Sequence, residues 1–426
     1  MKPKKATQFE PRGSVIAALD IGSHKISCFI AQVIDDDGGL EVVGVGYQAS
    51  KGIKNGVIVD IDAADKAIRN TVHTAEKMAA EIMKGYPLRD IVVCVPGLQT
   101  SSHNFTVDIQ IAGQEITDMD VKRALAKAQD QVLREDQELI HTIAVNAIID
   151  GNSGIVDPRG MTGDTLEVNI HIVTGDLSSL QNMASCIGRS HLDIVSLVSA
   201  PYAAGLASLV EDEMDLGCTV IDMGAGMTSF AVFQSGQMIY SDSVPVGGAH
   251  VTNDIACGLT CSHADAERFK TLYGSAIVSA SDDNEIIEVA RLGESEEDSH
   301  HSVTRSFLIG IIQPRLEEIF ELVKGKLDSS DLGDNLGRRV VLTGGASQLP
   351  SMRDLAQQLL DKQVRLGRPI RLSGLPDAVS GPAFSTTAGL LEYVATRAHE
   401  MPAEIIESVD SGSLWEKFSR WWRENW

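Results

Sequence analysis

Tryptophan is missing from the first 414 residues of this 426-residue chain, and all four copies, Trp415, Trp421, Trp422 and Trp426, fall in the last twelve. Cysteine is sparse, with six scattered residues. Cys257 and Cys261 stand four apart beside His263, which fits a metal pair, but no second ligand pair at metal spacing accompanies them; reduced packing thiols are the reading adopted. No apolar run reaches the roughly 18 residues needed to span a bilayer, and Met1–Arg12 is polar and basic with no apolar core, unlike a signal peptide. A cytosolic protein is expected. Positive charge is also in deficit: 36 Lys and Arg against 59 Asp and Glu leave −23, a field that repels polyphosphate and argues against nucleic acid as a partner. With 43% hydrophobic and 22% charged residues the composition is that of a globular protein of two to four domains.

The chain contains a diverged internal repeat. From Val15 it reads VIAALDIGSHK, ISCFIAQVID and LEVVGVGYQAS; from Cys218 it reads CTVIDMGAGMT, SFAVFQSG and QMIYSDSVPVGG. Each copy has three β-rich runs separated by Gly or Asp turns. The first run of each ends in Asp-x-Gly, at Asp20–Gly22 and Asp222–Gly224. Two related α/β lobes facing each other are expected.

The segments around the copies sort by pattern. Asp62–Lys84 is Ala-rich, lacks Pro and Gly, and reads as a helix that stops at Gly85 and Pro87. Residues 89–175 hold short strands (IVVCVPG, FTVDIQI, LEVNIHIVTG) around one helix near Asp118–Arg134, opened by Thr117–Asp118; this is expected to be a small α+β insertion. Leu177–Val210 reads as helical. His250–Phe269 and Ser302–Lys326 also read as helices, with an acidic loop or edge strand over Ser279–Ser302 between them. Glu400–Ser413 carries Pro, acids and a Ser/Gly close, and reads as a linker able to reach roughly 45 Å when extended.

An Asp-x-Gly at a strand end suits a nucleoside triphosphate. Gly admits close backbone approach, the turn N–H groups donate to phosphate oxygens, and the carboxylate can hold hydrated Mg²⁺. One copy alone could be an ordinary turn; two in matching positions point to a phosphate site. The second, Asp222 to Thr228, is Gly-rich with a terminal hydroxyl, and Val340–Gly345 brings a third Gly-rich loop after an apolar strand.

Together these features resemble the superfamily of actin, Hsp70 and sugar-kinase ATPases: the loops Leu19–Lys25, Ile221–Thr228 and Leu342–Ala346, and the inter-lobe helix segments Val198–Leu209 and Thr386–Tyr393. The segments Ser50–Ile61, 89–175, Val244–Ala256 and Ile311–Phe320, with the tail, are similar to the FtsA family of bacterial cell-division proteins. That resemblance covers about 400 residues. It implies an α/β, actin-like two-lobed fold of duplicated RNase H-like halves, with an inserted α+β domain and a C-terminal amphipathic helix. The implied division is a tail at 1–13; a first lobe (1A) at 14–88, 176–202 and 379–399; the insertion (1C) at 89–175; a second lobe (2A) at 203–246 and 327–378; a small lobe (2B) at 247–326; the linker at 400–413; and the helix at 414–426.

The resemblance implies ATP and Mg²⁺ as cofactors. Asp20 and Asp222 would hold Mg²⁺ through water. Gly22, Ser23, His24 and Lys25 would meet phosphate from one lobe, and Gly224, Ala225, Gly226, Met227 and Thr228 from the other. Gly247, Gly248 and Asn253 would border the cleft, Gly344, Gly345 and Ala346 would back the adenosine, and Glu267 and Lys270 would flank ribose and base; on spacing alone the last two fit a solvated helix face better, and the resemblance reverses that reading. Several members of the superfamily carry a Glu or Gln that orients the attacking water where this chain has Ala200. Ala cannot take a proton, so binding with at most slow hydrolysis is expected.

The last thirteen residues, LWEKFSRWWRENW, form an amphipathic pattern. At 100° per residue Leu414, Trp415, Phe418, Trp421, Trp422 and Trp426 share an arc of about 140°, and Lys417, Arg420 and Arg423 lie opposite. A helix docked on the protein's own core would more often use Leu, Ile and Val. Trp prefers the headgroup boundary and the three cations suit anionic lipid, so an interfacial membrane helix is expected. One such helix binds reversibly, and a polymer of them binds firmly. The resemblance implies peripheral attachment to the inner face of the cell membrane at the division site, self-association into filaments, recruitment of later divisome proteins, and binding of the FtsZ C-terminal peptide near Arg305 and Arg315. Those arginines would alternatively pair with Glu317, Glu318 or Glu321 on their own helix. Another actin-like scaffold, for pilus assembly or cell shape, and a small-molecule kinase are the competing functions; the kinase would leave the Trp-rich helix unexplained.

Overall fold

A computed structural model describes residues 13–397 apart from 36–38, 133, 291–299 and 331. The linker and the C-terminal helix expected at 400–426, including every candidate membrane residue from Leu414 to Trp426, lie outside the described residues.

In the first lobe β1 (Val15–Ile21), β2 (Lys25–Val33) and β3 (Leu40–Ala49) form an antiparallel meander, followed by the small hairpin of β4 (Ile53–Lys54) and β5 (Val57–Ile58). The helix expected from Asp62 is α1 (Ile61–Met78), capped by the Asp60 carboxylate, which accepts the Asp62 and Ala63 N–H groups. A short α2 (Ala80–Met83) follows. Gly44 and Gly46 of β3 let α1 lie against the sheet: a Cβ on Gly46 would stand 2.0 Å from the Thr71 carbonyl oxygen.

The next strand, β6 (Asp90–Val95), corrects the boundary expected at 89. It pairs in parallel with β1, and five of its six residues are buried, as a strand covered on both faces requires. It therefore belongs to the first lobe. The inserted subdomain starts after it, with β7 (Thr100–Gln110), α3 (Asp118–Val132), β8 (Gln137–Ile149), β9 (Asn152–Ile155) and β10 (Thr165–Asp176) in the sheet order β7-β10-β8-β9. The insertion has its own core, in which Ala124 and Ala128 of α3 meet Val107, Val168 and Ile170. The opposite sheet face, with Ile143 and Val173, joins the core of the lobes.

After α4 (Leu177–Arg189), the segment expected to be helical through Val210 contains a strand instead. β11 (Asp193–Ser199) pairs in parallel with β6 and completes the order β11-β6-β1-β2-β3. Its sequence DIVSLVS is rich in β-branched residues, which favour a pleated position over a helix. The inter-lobe helix accordingly begins later than expected, as α5 (Ala200–Ser208), and a short α6 (Glu211–Leu216) follows it.

The second lobe repeats the plan: β12 (Cys218–Met223), β13 (Thr228–Gln234) and β14 (Gln237–Val244) form the meander. From it rises a small lobe of α7 (Gly248–Leu259), α8 (His263–Tyr273), the hairpin of β15 (Ile286–Ala290) and β16 (His300–Thr304), and the long α9 (Arg305–Asp328). The stretch expected as loop or edge strand thus contains two strands. β17 (Arg339–Thr343) pairs in parallel with β12, then come α10 (Met352–Leu360), β18 (Gln363–Leu366) and α11 (Ser385–Arg397); the sheet order is β14-β13-β12-β17-β18. Among the described residues no helix is long and apolar enough to cross a membrane.

The two lobes meet at the crossing of α5 and α11, whose middles are buried throughout. Beside that crossing two imidazoles of the insertion are fully buried. Burial lowers the pKa of His141 to about 3, with His171 adding repulsion, and lowers His171 to about 3 as well. The unfolded chain binds protons at these sites near the ordinary value of 6.5, so the stabilisation is complete above 6.5 and is lost as pH falls toward 3. The share of the unfolding free energy carried by the two imidazoles should drop by roughly 1–3 kcal/mol per pH unit between pH 6 and pH 4 in denaturant titrations, against the opposite trend of Asp20 and Asp222, whose pKa values burial raises. His141→Gln should flatten that slope.

Candidate functional site

The β1–β2 and β12–β13 turns face each other across a cleft of about 820 Å³. Each turn is held by its own backbone. The Gly22 N–H donates to the Lys25 carbonyl at 3.0 Å, while Gly248 N–H and Ala249 N–H donate to the Gly224 and Ala225 carbonyls at 2.9 and 2.8 Å. The start of α7 is thereby clamped onto the second turn. A Cβ at Gly226 would come within 2.8 Å of the Ser23 hydroxyl on the opposite turn. Gly344 has φ +85°, and a Cβ there would stand 2.3 Å from Asp222 Oδ1, so two steric reasons demand glycine at that position.

Charge converges at the bottom of the cleft. Asp20 and Asp222 each lie one residue before the end of their strand, β1 and β12. Burial raises the pKa of both, Asp222 to about 6, partly offset at Asp222 by the Thr386 hydroxyl, which donates to Oδ2 at 3.0 Å. Lys25 lies between them; burial lowers it to about 8 against the pull of the two carboxylates. Its ammonium donates to the Ala383 carbonyl and sits 3.3 Å over the Phe384 ring. Two carboxylates facing one cation leave a local deficit of positive charge, and hard oxygen donors beside turn N–H groups suit a hydrated Mg²⁺ carrying phosphates.

The small lobe supplies the other wall. Lys270 Nζ contacts Glu267 Oε2 at 2.7 Å and donates to Thr252 Oγ1 at 2.7 Å and to the Gly248 carbonyl at 3.1 Å. Burial pushes the Glu267 pKa up, but the hydrogen bonds from Lys270 and Thr252 prevail and hold it below the usual range; the charge of His24, across the cleft, adds to them. Glu267 and Lys270 are therefore cleft residues and not a solvated face. Leu316, Leu349 and Met352 make the neighbouring surface apolar, as a flat base needs.

Most expected site residues line this cleft: Asp20, Gly22, Ser23, His24, Lys25, Asp222, Gly224, Ala225, Gly226, Met227, Gly248, Glu267, Lys270, Gly344, Gly345 and Ala346, together with Ala200 at the place expected for a water-orienting residue. Three do not. Thr228 is fully buried and its hydroxyl donates to the Val246 carbonyl at 2.9 Å, so it locks the turn from behind. Gly247 packs against the back of the same turn, where a Cβ would meet the Gly224 carbonyl at 2.5 Å. Asn253 is exposed on α7 away from the cleft. Cys94 and Thr386 line the cleft without having been foreseen; the Ser-Thr-Thr run opening α11 was the available signal for the latter. Cys257 and Cys261 are free thiols.

The two arginines on α9 are already paired. Arg315 makes a bidentate contact with Asp254, at 2.6 and 3.1 Å, and also contacts Glu318, so the alternative weighed from the sequence holds in part. Arg305 donates to the Tyr273 carbonyl at 2.8 Å and bridges to Glu285 and Asp282 at 3.1 and 3.2 Å.

The fold has solved neighbours. A chain of the PilM–PilN type IV pilus biogenesis complex superposes with a TM-score of 0.63 at 14% identity, covering 89% of this chain and 98% of that one. MreB5 of Spiroplasma citri bound to ADP follows at 0.53 and 13%, covering 94% and 100%. At such identities these likenesses establish the actin-like fold alone. Two family models match: "SHS2 domain inserted in FTSA" over residues 97–174, which agrees with the corrected start of the insertion, and "Cell division protein FtsA" over 219–389. The curated cell division protein FtsA of Rhizobium meliloti (strain 1021) is 38% identical, over 97% of this chain and 95% of its own length.

The chain belongs to the FtsA family.

Other relatives carrying the same description are those of Pseudomonas aeruginosa, 34% identical over 89% of both chains, and Bacillus subtilis (strain 168), 34% identical over 92% of this chain and 88% of its own. The FtsA family makes this an actin-like cell-division protein, and its duplicated lobes, inserted subdomain and cleft take their places in that fold.

Proposed function

We propose that the chain binds MgATP between its lobes, polymerises on the inner face of the cytoplasmic membrane, anchors FtsZ filaments there and helps recruit later divisome proteins. The observation that carries this is the convergence of Asp20, Lys25 and Asp222 from two repeated strand-turn-strand units onto one nucleotide-sized cleft. The ADP bound to the MreB5 neighbour supports the nucleotide. Asp20 and Asp222 would hold the ion, which screens phosphate charge when bound. The glycine turns present N–H groups to phosphate, and Glu267 and Lys270 orient the nucleoside. Ala200 in the cleft wall offers no group to take a proton, so the nucleotide acts chiefly as a ligand that joins the lobes, with slow turnover.

Membrane attachment rests on residues 414–426. Six large apolar side chains at about 1.5–3 kcal/mol each give a gross gain on the order of 10 kcal/mol, reduced by partial depth and by ordering the peptide. A single tail is thus reversible, and filament formation supplies the avidity. The FtsZ C-terminal peptide is assigned to the small lobe near Arg305 and Arg315, where Ile286 and Phe307 are exposed. Because both guanidiniums hold internal carboxylates, an acidic peptide exchanges partners instead of gaining new ones, which favours modest affinity.

The test is co-sedimentation with vesicles containing anionic lipid, with and without FtsZ. The full chain should pellet and bring FtsZ down. Deletion of 414–426 should lower the pelleted fraction more than tenfold while leaving FtsZ binding in solution intact. Equal pelleting of the two proteins would refute the anchor, and a pelleted chain that leaves FtsZ in the supernatant would refute the tether.

A further inference from the structure

The inserted subdomain is seated on the lobes through a polar seam. Several buried polar atoms there have no protein partner: Gln99 Oε1, His141 Nδ1, Ser199 Oγ and Ser241 Oγ. Buried polar groups are seldom left unpaired, so this seam is less fully satisfied than an apolar one would be. Among the direct contacts across it are two hydrogen bonds. Ser102 and His171 of the insertion share a 2.7 Å hydrogen bond, and Ser102 Oγ accepts the Ser241 N–H of the second lobe at 3.3 Å. His141, on β8, accepts the Ser199 N–H at 3.0 Å.

The second contact reaches the cleft. Ser199 is the residue before Ala200, which lines the cleft and opens α5. His141 also lies edge-on to Tyr202 of α5, centroids 5.1 Å apart, and to Tyr393 of α11, 5.3 Å apart. α11 carries Thr386, the donor to Asp222. One fully buried imidazole of the insertion therefore touches both helices that join the lobes and fixes the backbone at the cleft wall. Because Nε2 accepts, the ring is neutral with its proton on Nδ1. An aliphatic residue here would fill the space and leave the Ser199 N–H unpaired.

We infer that His141 is a positioning residue through which the inserted subdomain sets the Ser199–Ala200 wall of the nucleotide cleft. This rests on the nucleotide reading proposed above. The relay is reciprocal: whatever holds the insertion in place favours nucleotide, and nucleotide firms the seat of the insertion.

The test compares His141→Leu, His141→Gln and Ser102→Ala in the full chain. Gln can place an amide oxygen where Nε2 stands; Ser102→Ala loosens the same seam away from α5. With MgADP as the probe, His141→Leu should weaken binding about tenfold, the scale of one unpaired buried donor. His141→Gln and Ser102→Ala should stay within about twofold. Wild-type affinity in His141→Leu overturns the inference, and so does an equal loss in Ser102→Ala, which would mean general loosening. Amide exchange separates this from the nucleotide reading. Without any nucleotide, residues 199–203 should exchange faster in His141→Leu than in His141→Gln, and equal rates overturn the relay even if no variant binds MgADP. Should His141→Leu fail to fold, the wild-type chain still decides: MgADP should slow exchange in 139–143 together with 199–203, and an unchanged 139–143 contradicts the relay.

Discussion

Gly389→Val is expected to cripple both the folded state and the cleft. Gly389 lies where α11 crosses α5, and a Cβ there would stand 1.7 Å from the Ala203 carbonyl oxygen and 2.3 Å from its carbon. Neither is a flexible side-chain end, so the helices themselves must separate. Gly205 leaves as little room on the other side of α5, with a Cβ position 2.4 Å from the Phe233 ring. Overpacking costs about 1–3 kcal/mol where the surroundings can relax. Two backbones in contact relax poorly, so Gly389→Ala should sit at or above the top of that range and Gly389→Val beyond it. The first turn of α11 also ties the lobes together: Thr386 donates to Asp222, Thr387 meets Ser27 at 2.7 Å, and Thr343 donates to Ser385 at 2.7 Å. Displacing α11 disturbs all three. Urea titration should show the loss of stability, and a nucleotide titration of whatever Gly389→Ala remains folded should show weaker binding. A Gly389→Val protein with wild-type midpoint and affinity would contradict the crossing described here.

Asp222→Asn is expected to move stability and binding in opposite directions. Burial raises the pKa of Asp222 to about 6 and raises that of Asp20, so above those values the folded state carries ionised groups it would rather protonate. An amide removes that penalty and can still accept from Thr386 through its oxygen. The nucleotide-free protein should melt several degrees higher, corresponding to about 1–2 kcal/mol. Mg²⁺-dependent nucleotide affinity should fall by about 100-fold, because the carboxylate that would hold the hydrated ion is gone. A residue kept only for packing would lower stability and leave the ion dependence alone.

The sequence carried the frame of this molecule because the frame is duplicated. Two Asp-x-Gly turns between strands of matching order are legible as facing lobes, and the cleft residues on those turns follow from them. The errors have physical reasons. DIVSLVS was read as helix because its polar residues recur at every third position, which hides the two-residue alternation that its burial shows. The boundary at 89 fell one strand early because IVVCV carries no sign of which sheet it joins; only its pairing with β1 decides. Thr228 resembled a phosphate-binding hydroxyl, yet its strand register turns it toward the Val246 carbonyl. Arg315 looked available because Asp254, its main partner, lies 61 residues away. Thr386 and His141 were invisible for the same reason: their roles depend on contacts across 164 and 58 residues.

Equilibrium titration of the full chain with a fluorescent ATP analogue, with Mg²⁺ and then with excess EDTA, tests the shared cleft most directly. The expected result is one saturable site per chain that is displaced by unlabelled ATP and weakened at least tenfold on chelation. The absence of saturable binding, or binding indifferent to Mg²⁺ and to Asp222→Asn, would contradict a nucleotide held between the lobes.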